Sequence, residues 1–261
     1  MKVLPLPEGN YTVDKSKKAI PYQPGIDSMK DRPGSVYVSV QPFLVIKENY
    51  KILLDTGFGK STDNELAIVS NLKKNGIKRE EITHVFLSHL HKDHCGGIFM
   101  EIEKSYKLSF PNAIHVVNRN EFELALSDRK NYPEPEIFEE LQRSGMLEFT
   151  EGNGTILPGV DFEMSGGHTP YHQVFYLRDS ANTFFFGGDV VPVVNQLLHL
   201  FTANYDSDGV TSRELRKKYA QKGAEENWTF LFYHSQTPAI ANLGTYNGAY
   251  RVKTISNSDN M

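Results

Sequence analysis

The sequence lacks several features that would each have narrowed its interpretation. It has one cysteine, Cys95, so no disulfide can form within the chain. No apolar run approaches the roughly 18 residues that a membrane span needs, and we expect no span. The first residues lack the apolar core of a signal peptide, and we therefore expect a cytoplasmic protein.

The sequence also lacks a strongly basic segment. The formal net charge is −4, and the 28 Lys and Arg residues form no long block. Nucleic-acid binding depends on basic side chains that neutralise phosphates. We therefore expect neither nucleic acid nor a membrane as a partner, and the sequence gives no indication of the oligomeric state.

The composition is that of an ordinary globular protein, with 39% hydrophobic and 23% charged residues over 261 positions. The chain contains no low-complexity segment and no strong linker. We therefore predict a single domain over residues 1–261. Residues 1–34 are rich in Pro, Lys and Gly and are predicted to form an N-terminal arm with one short strand near Tyr11–Val13.

The most informative stretch runs from residue 88 to residue 97. It contains His89, His91, Asp93 and His94 and directly follows an apolar run that predicts a buried strand. Residues two apart in an extended segment point the same way, so His89 and His91 can face one point. Imidazole and carboxylate groups are common metal ligands. The stretch therefore predicts a metal site at the end of a strand.

Three further candidate ligands, His168, Asp189 and His234, follow later strand-like runs that end near residues 164, 186 and 233. Polar residues directly after buried strands lie at the rim of a sheet, where sites are built. Together with the first stretch they supply enough ligands for two metal ions about 3.5–4 Å apart. The seven candidate ligands are His89, His91, Asp93, His94, His168, Asp189 and His234.

A natural division gives each ion three of these ligands and a shared carboxylate. One ion takes His89, His91 and His168, the other takes Asp93, His94 and His234, and Asp189 bridges the two. Imidazole and carboxylate without thiolate favour two Zn²⁺ ions, with Fe or Mn as alternatives. A metal-bridging hydroxide would be the nucleophile at neutral pH. Asp93 would carry its proton to the leaving group, so we predict a catalytic role for Asp93.

Asp55 ends the second strand of a predicted hairpin. We predict that its carboxylate orients a ligand histidine, with direct metal binding and a local turn role as the alternatives.

The segment His89-Leu90-His91-Lys92-Asp93-His94 resembles the HxHxDH signature of the metallo-β-lactamase fold superfamily. Gly167-His168-Thr169-Pro170, Gly188-Asp189 and Tyr233-His234 occur in that family's order, and Leu54-Asp55-Thr56-Gly57 also matches. The resemblance covers roughly residues 36–240. It implies an α/β (α+β) fold, a four-layer αββα sandwich with its metal site at one edge between two sheets.

Within that superfamily the chain is most similar to the N-acyl-homoserine lactonases and their esterase relatives. This similarity implies hydrolysis of a small-molecule ester or lactone. Two positions depart from the common pattern, since Tyr171 replaces the second glycine of GHTPGH and Ser235 replaces the Asp that often follows the last ligand. Tyr205 is a candidate to hydrogen-bond the substrate carbonyl, as a tyrosine does in the lactonases, while a packing or lid role is favoured over it.

Two other activities remain as alternatives. A glyoxalase II-like thioesterase would share the ligands, but the tail after residue 250 has only Arg251 and Lys253 as basic residues. A non-hydrolytic di-iron redox module would usually carry Glu at the position of His91, together with a flavin domain. The negative charge argues against a nuclease, and the complete ligand set argues against a non-catalytic binding protein.

Overall fold

The computed structural model describes the whole chain except residues 17, 63–64, 103–104, 134 and 254–261. Within the described residues no helix is both long and apolar enough to cross a bilayer. The strands in chain order are β1 Lys2–Pro5, β2 Gly9–Val13, β3 Ala19–Pro21, β4 Val36–Val40, β5 Phe43–Lys47, β6 Tyr50–Leu54, β7 Ser61–Thr62, β8 Glu65–Leu66, β9 His84–Phe86, β10 Phe99–Ile102, β11 Ser105–Leu108, β12 Ile114–Asn118, β13 Leu147–Thr150, β14 Asn153–Leu157, β15 Val160–Met164, β16 Gln173–Arg178, β17 Thr183–Phe186, β18 Thr229–Leu231, β19 Ile240–Tyr246 and β20 Ala249–Lys253.

The helices lie between these strands. In chain order they are α1 Ala67–Lys74, α2 Lys92–Cys95, α3 Arg119–Ser127, α4 Pro135–Arg143, α5 Asn195–Leu198 and α6 Gly209–Glu225, with short 3-10 turns at Met29–Asp31 and Arg79–Glu81. The Ser/Thr-x-x-Glu pattern at Thr211–Glu214 predicts that the last helix begins there. The helix begins two residues earlier, because the Asp208 side chain accepts a hydrogen bond from the Thr211 amide and caps it.

Two large sheets form the centre of the fold. The first has the order β1-β5-β6-β9-β12-β13, and its strands from β6 to β13 run parallel. The second has the order β14-β15-β16-β17-β18-β19-β20 and is antiparallel except for the pair β17–β18. Three small sheets, β3-β2-β4, β7-β8 and β10-β11, complete the described strands.

The core has three layers of apolar side chains, one between the two large sheets and one on the outer face of each sheet. Phe184 and Phe186 face the first sheet, whereas Phe185 between them faces α6 on the opposite side. In the first sheet, Phe86 joins the layer between the sheets and Val85 joins the layer beneath α1, α3 and α4. Helices therefore cover both outer faces, and the predicted four-layer αββα sandwich is confirmed.

The N-terminal arm has more regular structure than the sequence indicates. The predicted strand near Tyr11 is confirmed as β2, but β1 and β3 also form within residues 1–34. β1 pairs antiparallel with β5 at the edge of the first sheet. Pro5 ends this strand, and proline is tolerated at such an edge.

The topology brings the ends of several strands to one edge of the sandwich. β15 and β17 run in the same direction because each pairs antiparallel with β16, and β18 runs parallel to β17. The segments that follow β15, β17 and β18 therefore leave the second sheet at the same edge. The segment after β9 meets them from the first sheet.

Candidate metal centre

The seven predicted ligands converge at this edge. The segment after β9 supplies His89, His91, Asp93 and His94; His91 is the N-cap of the short helix α2, and Asp93 and His94 lie on that helix. His168, Asp189 and His234 follow β15, β17 and β18 one at a time. The potential ligand atoms form two groups, each within 4.8 Å: a first group of His89, His91 and His168, and a second group of Asp93, His94 and His234. A further set, His89, His94 and Asp189, meets the same limit and shares one histidine with each group.

The first group joins the two halves of the chain. His168 Nε2 lies 3.1 Å from His91 Nδ1, and the ring of His89 lies 4.8 Å from that of His168. The second group does the same with different residues. Asp93 Oδ2 lies 3.6 Å from His94 Nε2 and 3.6 Å from His234 Nε2.

Asp189 lies between the two groups and directs one oxygen at each. Its Oδ2 lies 3.2 Å from His168 Nε2. Its Oδ1 lies 2.9 Å from His234 Nε2 and 3.2 Å from His94 Nε2. A carboxylate in this position can bind two ions at once.

These separations fit metal coordination. Four ligand atoms placed tetrahedrally at about 2.1 Å from an ion lie about 3.4 Å from one another, and the close pairs given above are separated by 2.9 to 3.6 Å. His89 Nε2, His94 Nε2 and Asp189 Oδ1 are buried and have no hydrogen-bond partner of acceptable geometry among the described residues. Buried polar atoms are seldom left in this state, so the donor set fits two divalent cations.

In four of the candidate ligand histidines, an acceptor contacts the ring nitrogen Nδ1, which is opposite the nitrogen that faces the cluster. The Nδ1 contacts are His89 to Ser88 Oγ at 3.1 Å, His94 to Asp55 Oδ2 at 2.7 Å, His168 to Asp206 Oδ1 at 3.1 Å, and His234 to the Ser39 carbonyl at 2.7 Å. Such contacts place the proton on Nδ1 and leave the Nε2 lone pair for a metal. For His89 the assignment follows because the Ser88 hydroxyl donates its own proton to Asp55.

Asp55 has the orienting position that the sequence predicts. It is fully buried, and its carboxylate accepts hydrogen bonds from the Ser88 amide and hydroxyl as well as from His94. Its φ of 57° lies in the left-handed region, which Asp tolerates better than most residues. One side chain thus fixes the segment that carries His89 and the ring of His94.

The partner of His168 has no signal in the sequence. Asp206 and Arg216 form an ion pair of 2.9 Å in which both side chains are completely buried. Arg216 also donates through Nε to the Val190 carbonyl at 2.7 Å, next to Asp189. Because Asp206 follows Tyr205 in the chain, this pair joins the 199–208 segment to the ligand cluster.

Burial and neighbouring charges shift the pKa values of the residues in the cluster. Burial lowers the pKa of His89 well below its ordinary value, so the ring is neutral. Burial opposes the charged form of His94 as well, but three carboxylates, led by Asp189, raise its pKa well above the usual range. Burial would raise the pKa of Asp189, yet the neighbouring imidazoles, led by His234, hold it well below its ordinary value.

Two residues close to the predicted ligands have other contacts. His172 is buried, and its Nε2 accepts a hydrogen bond from the Asp189 amide at 3.2 Å. Cys95 is also buried, and its thiol donates to the Leu90 carbonyl at 3.2 Å. His172 therefore supports the backbone of Asp189, and Cys95 packs behind the loop.

Tyr205 lies at the rim of the cluster, with its ring 5.9 Å from that of His168 and half of its surface exposed. Its hydroxyl accepts a short hydrogen bond from the Gln196 side chain. Partial burial and the charge of Asp189 raise the pKa of Tyr205 to about 12, so the hydroxyl keeps its proton. Leu197 is buried in the core beneath α6, whereas Leu200 and Phe201 are exposed near this rim.

A family model described as the metallo-beta-lactamase superfamily matches residues 37–234. The chain belongs to this superfamily. The matched range contains all seven ligand candidates, the first large sheet except β1, and the second large sheet up to β18. The predicted family is therefore confirmed.

Curated relatives of this superfamily member carry the name N-acyl homoserine lactonase. One from Bacillus thuringiensis is 29% identical over 156 residues, which are 52% of this chain and 57% of the relative. Another, AttM from Azorhizobium caulinodans, is 31% identical over 121 residues, 42% of this chain and 41% of the relative. The matched part of the chain thus spans 57% of the first relative and 41% of the second.

Solved structures confirm the fold. The dizinc quorum-quenching lactonase AidC, in complex with a product, has a TM-score of 0.74 and 21% identity, covering 97% of this chain and 94% of that chain. A probable metal-dependent hydrolase from Staphylococcus aureus has a TM-score of 0.74 and 20% identity, covering 97% of both chains. At these identities the likeness concerns the fold alone.

Proposed function

We propose that this superfamily member is a dinuclear metal-dependent hydrolase that cleaves a small ester or lactone. The observation that carries the proposal is the position of Asp189, whose two oxygens face two separate groups of ligand atoms. The names of the curated relatives support a lactone as the substrate.

The proposed ligands are the seven predicted from the sequence. His89, His91 and His168 would hold one ion, Asp93, His94 and His234 the other, and Asp189 both. Imidazole and carboxylate donors suit Zn²⁺, which we propose as the metal, and they also suit Fe or Mn. Bound there, two divalent ions would supply a nucleophilic hydroxide at neutral pH and polarise a carbonyl oxygen.

Asp93 is the proposed proton carrier. Its side chain is 23% exposed, whereas that of His94 beside it is fully buried. A carboxylate that reaches both the cluster and solvent can take a proton from the attacking group and deliver it to the leaving oxygen.

Tyr205 is the proposed donor to the substrate carbonyl. Its hydroxyl keeps its proton, and its ring lies on the side of the first group, near His168. The exposed Leu200 and Phe201 on the same segment would contact the apolar part of a substrate. These residues would orient the ester bond toward the cluster.

Metal analysis of the purified chain tests the proposal. We expect close to two ions per chain, and a value near zero after expression in metal-rich medium would contradict it. His91→Ala and Asp189→Ala should abolish hydrolysis while the circular dichroism spectrum stays that of the folded protein. His199→Ala is the matched control, because His199 is exposed and outside the candidate ligand groups.

A substrate panel then selects among activities. It should contain acyl-homoserine lactones, aryl esters, S-lactoylglutathione, a phosphotriester and a β-lactam. We expect the highest kcat/KM on lactones and esters, with Tyr205→Phe lowering it. Turnover of S-lactoylglutathione alone would identify a thioesterase instead.

A further inference from the structure

Glu121 is a buried carboxylate that the proposed chemistry does not use. It occupies the third position of α3 and is completely inaccessible to solvent. A Glu at this position commonly bonds back to the start of its own helix. Here the Asn118 side chain caps the helix by accepting from the Asn120 and Glu121 amides, and the Glu121 carboxylate points elsewhere.

Its two oxygens accept hydrogen bonds from three other segments. Oε1 accepts from the Leu90 amide at 3.2 Å and from the Tyr132 hydroxyl at 3.0 Å. Oε2 accepts from the Thr169 hydroxyl at 2.8 Å. Removing an ionised carboxylate from water costs several kcal/mol unless it is well paired, so these contacts need a specific reason to exist.

Each of the three donors is next to a histidine of the first ligand group. Leu90 lies between His89 and His91 in the chain, and Thr169 directly follows His168. The Tyr132 ring lies 5.4 Å from the His91 ring. The segments come from opposite halves of the sandwich, and one carboxylate connects them.

We propose that Glu121 is a positioning residue that holds the two loops of the first ligand group at metal-binding distance. The inference rests on the proposed dinuclear centre. Glu121 touches no ligand atom of the second group, which is fixed instead by Asp55 and the Ser39 carbonyl. Losing the Glu121 contacts therefore weakens binding of one ion and spares the other.

Competition with a chromophoric zinc chelator on the intact protein measures the two dissociation constants separately. Glu121→Ala should weaken one of them by about 10–100-fold, the usual cost of removing a group behind a metal ligand. Glu121→Gln should restore it, because the amide can accept from Leu90 and Tyr132 and donate to the Thr169 hydroxyl. Glu123→Ala is the matched control, since Glu123 lies on the same helix and is exposed.

Single-site backgrounds identify which ion responds. In His234→Ala, which keeps the first group, adding Glu121→Ala should weaken the remaining ion. In His91→Ala, which keeps the second group, the same addition should leave the affinity unchanged. If Glu121→Ala does not fold, Thr169→Val removes only one contact and should weaken the same ion.

Two results would overturn the inference. The first is that both zinc dissociation constants are unchanged in folded Glu121→Ala, or in Thr169→Val where Glu121→Ala does not fold. The second is that Glu121→Ala weakens zinc binding equally in the His234→Ala and His91→Ala backgrounds. Failure of Glu121→Gln to restore the affinity would also count against it. These outcomes are distinct from failure of the proposed function, in which the unsubstituted chain itself would bind no zinc.

Discussion

Replacing Arg216 with Met should destabilise the protein strongly, because Arg216 neutralises a buried charge. Its guanidinium donates to Asp206 Oδ2 at 2.9 Å and to the Val190 carbonyl at 2.7 Å, and both charged side chains are 0% exposed. Removing one partner of such a pair typically costs about 3–5 kcal/mol. A domain of ordinary stability has about 5–15 kcal/mol in total, so the loss is a large fraction.

Urea unfolding at saturating zinc measures this loss as a change in the free energy of unfolding. Arg213→Met is the matched control on the same helix. Arg213 is 45% exposed and pairs with Glu214 at the surface, so its loss should cost less than about 1 kcal/mol.

A double variant shows whether the buried charge is the cause. Asp206→Asn keeps an acceptor for the His168 ring and removes the charge that Arg216→Met leaves unpaired. We expect the double variant to be about 2 kcal/mol more stable than Arg216→Met, though still below the unsubstituted protein because the Val190 carbonyl loses a donor. A cost below about 1 kcal/mol for Arg216→Met, or no recovery in the double variant, would refute this reasoning.

Three further predictions concern other buried groups. Burial lowers the pKa of His115 to about 4 from 6.5, so the folded state binds fewer protons than the unfolded state between these values. The free energy of unfolding should fall by about 3 kcal/mol as the pH drops through this window. The same measurement on His115→Gln is the control, and identical pH dependence of the two proteins would contradict the prediction. Asp55→Asn should weaken zinc binding about 10–100-fold in the chelator competition, because the imidazole beside it loses its charged acceptor. In Gly188→Ala the new Cβ would lie 2.6 Å from His172 Nε2, so we expect the free energy of unfolding to fall by about 1–3 kcal/mol and the zinc content to fall as well. Gly145→Ala is the control: Gly145 also has a positive φ but has open space around it, so this variant measures the cost of backbone strain alone.

The convergence of the candidate ligands could be predicted from the sequence because local rules place these residues. His168, Asp189 and His234 each follow an apolar run, and strands that share a direction deliver such residues to one edge of a sheet. Asp55 could be predicted for the same reason, since it directly follows β6. The alternation of Phe184, Phe185 and Phe186 on two faces is likewise a property of the strand itself.

The residues that support the ligands could not be predicted in this way. Asp206 and Arg216 meet His168 through an irregular segment and a helix, and no spacing in the sequence relates the three. Glu121 has the position of a residue that caps its own helix, and only the packing of α3 reveals its other partners. The strand at Lys2–Pro5 was missed because its short, proline-rich stretch becomes regular only by pairing with β5.

The candidate ligands are unevenly distributed between the two halves of the chain. Each of the two ligand groups combines candidate ligands from the loop after β9 with one residue that follows β14, and the Asp189 carboxylate directs one oxygen at each. A chain cut between β13 and β14 would therefore carry four of the proposed ligands on one fragment and three on the other, with neither group complete. Tight metal binding by such a pair of fragments would report their reassembly, and the ions would act as a cross-link between the two sheets.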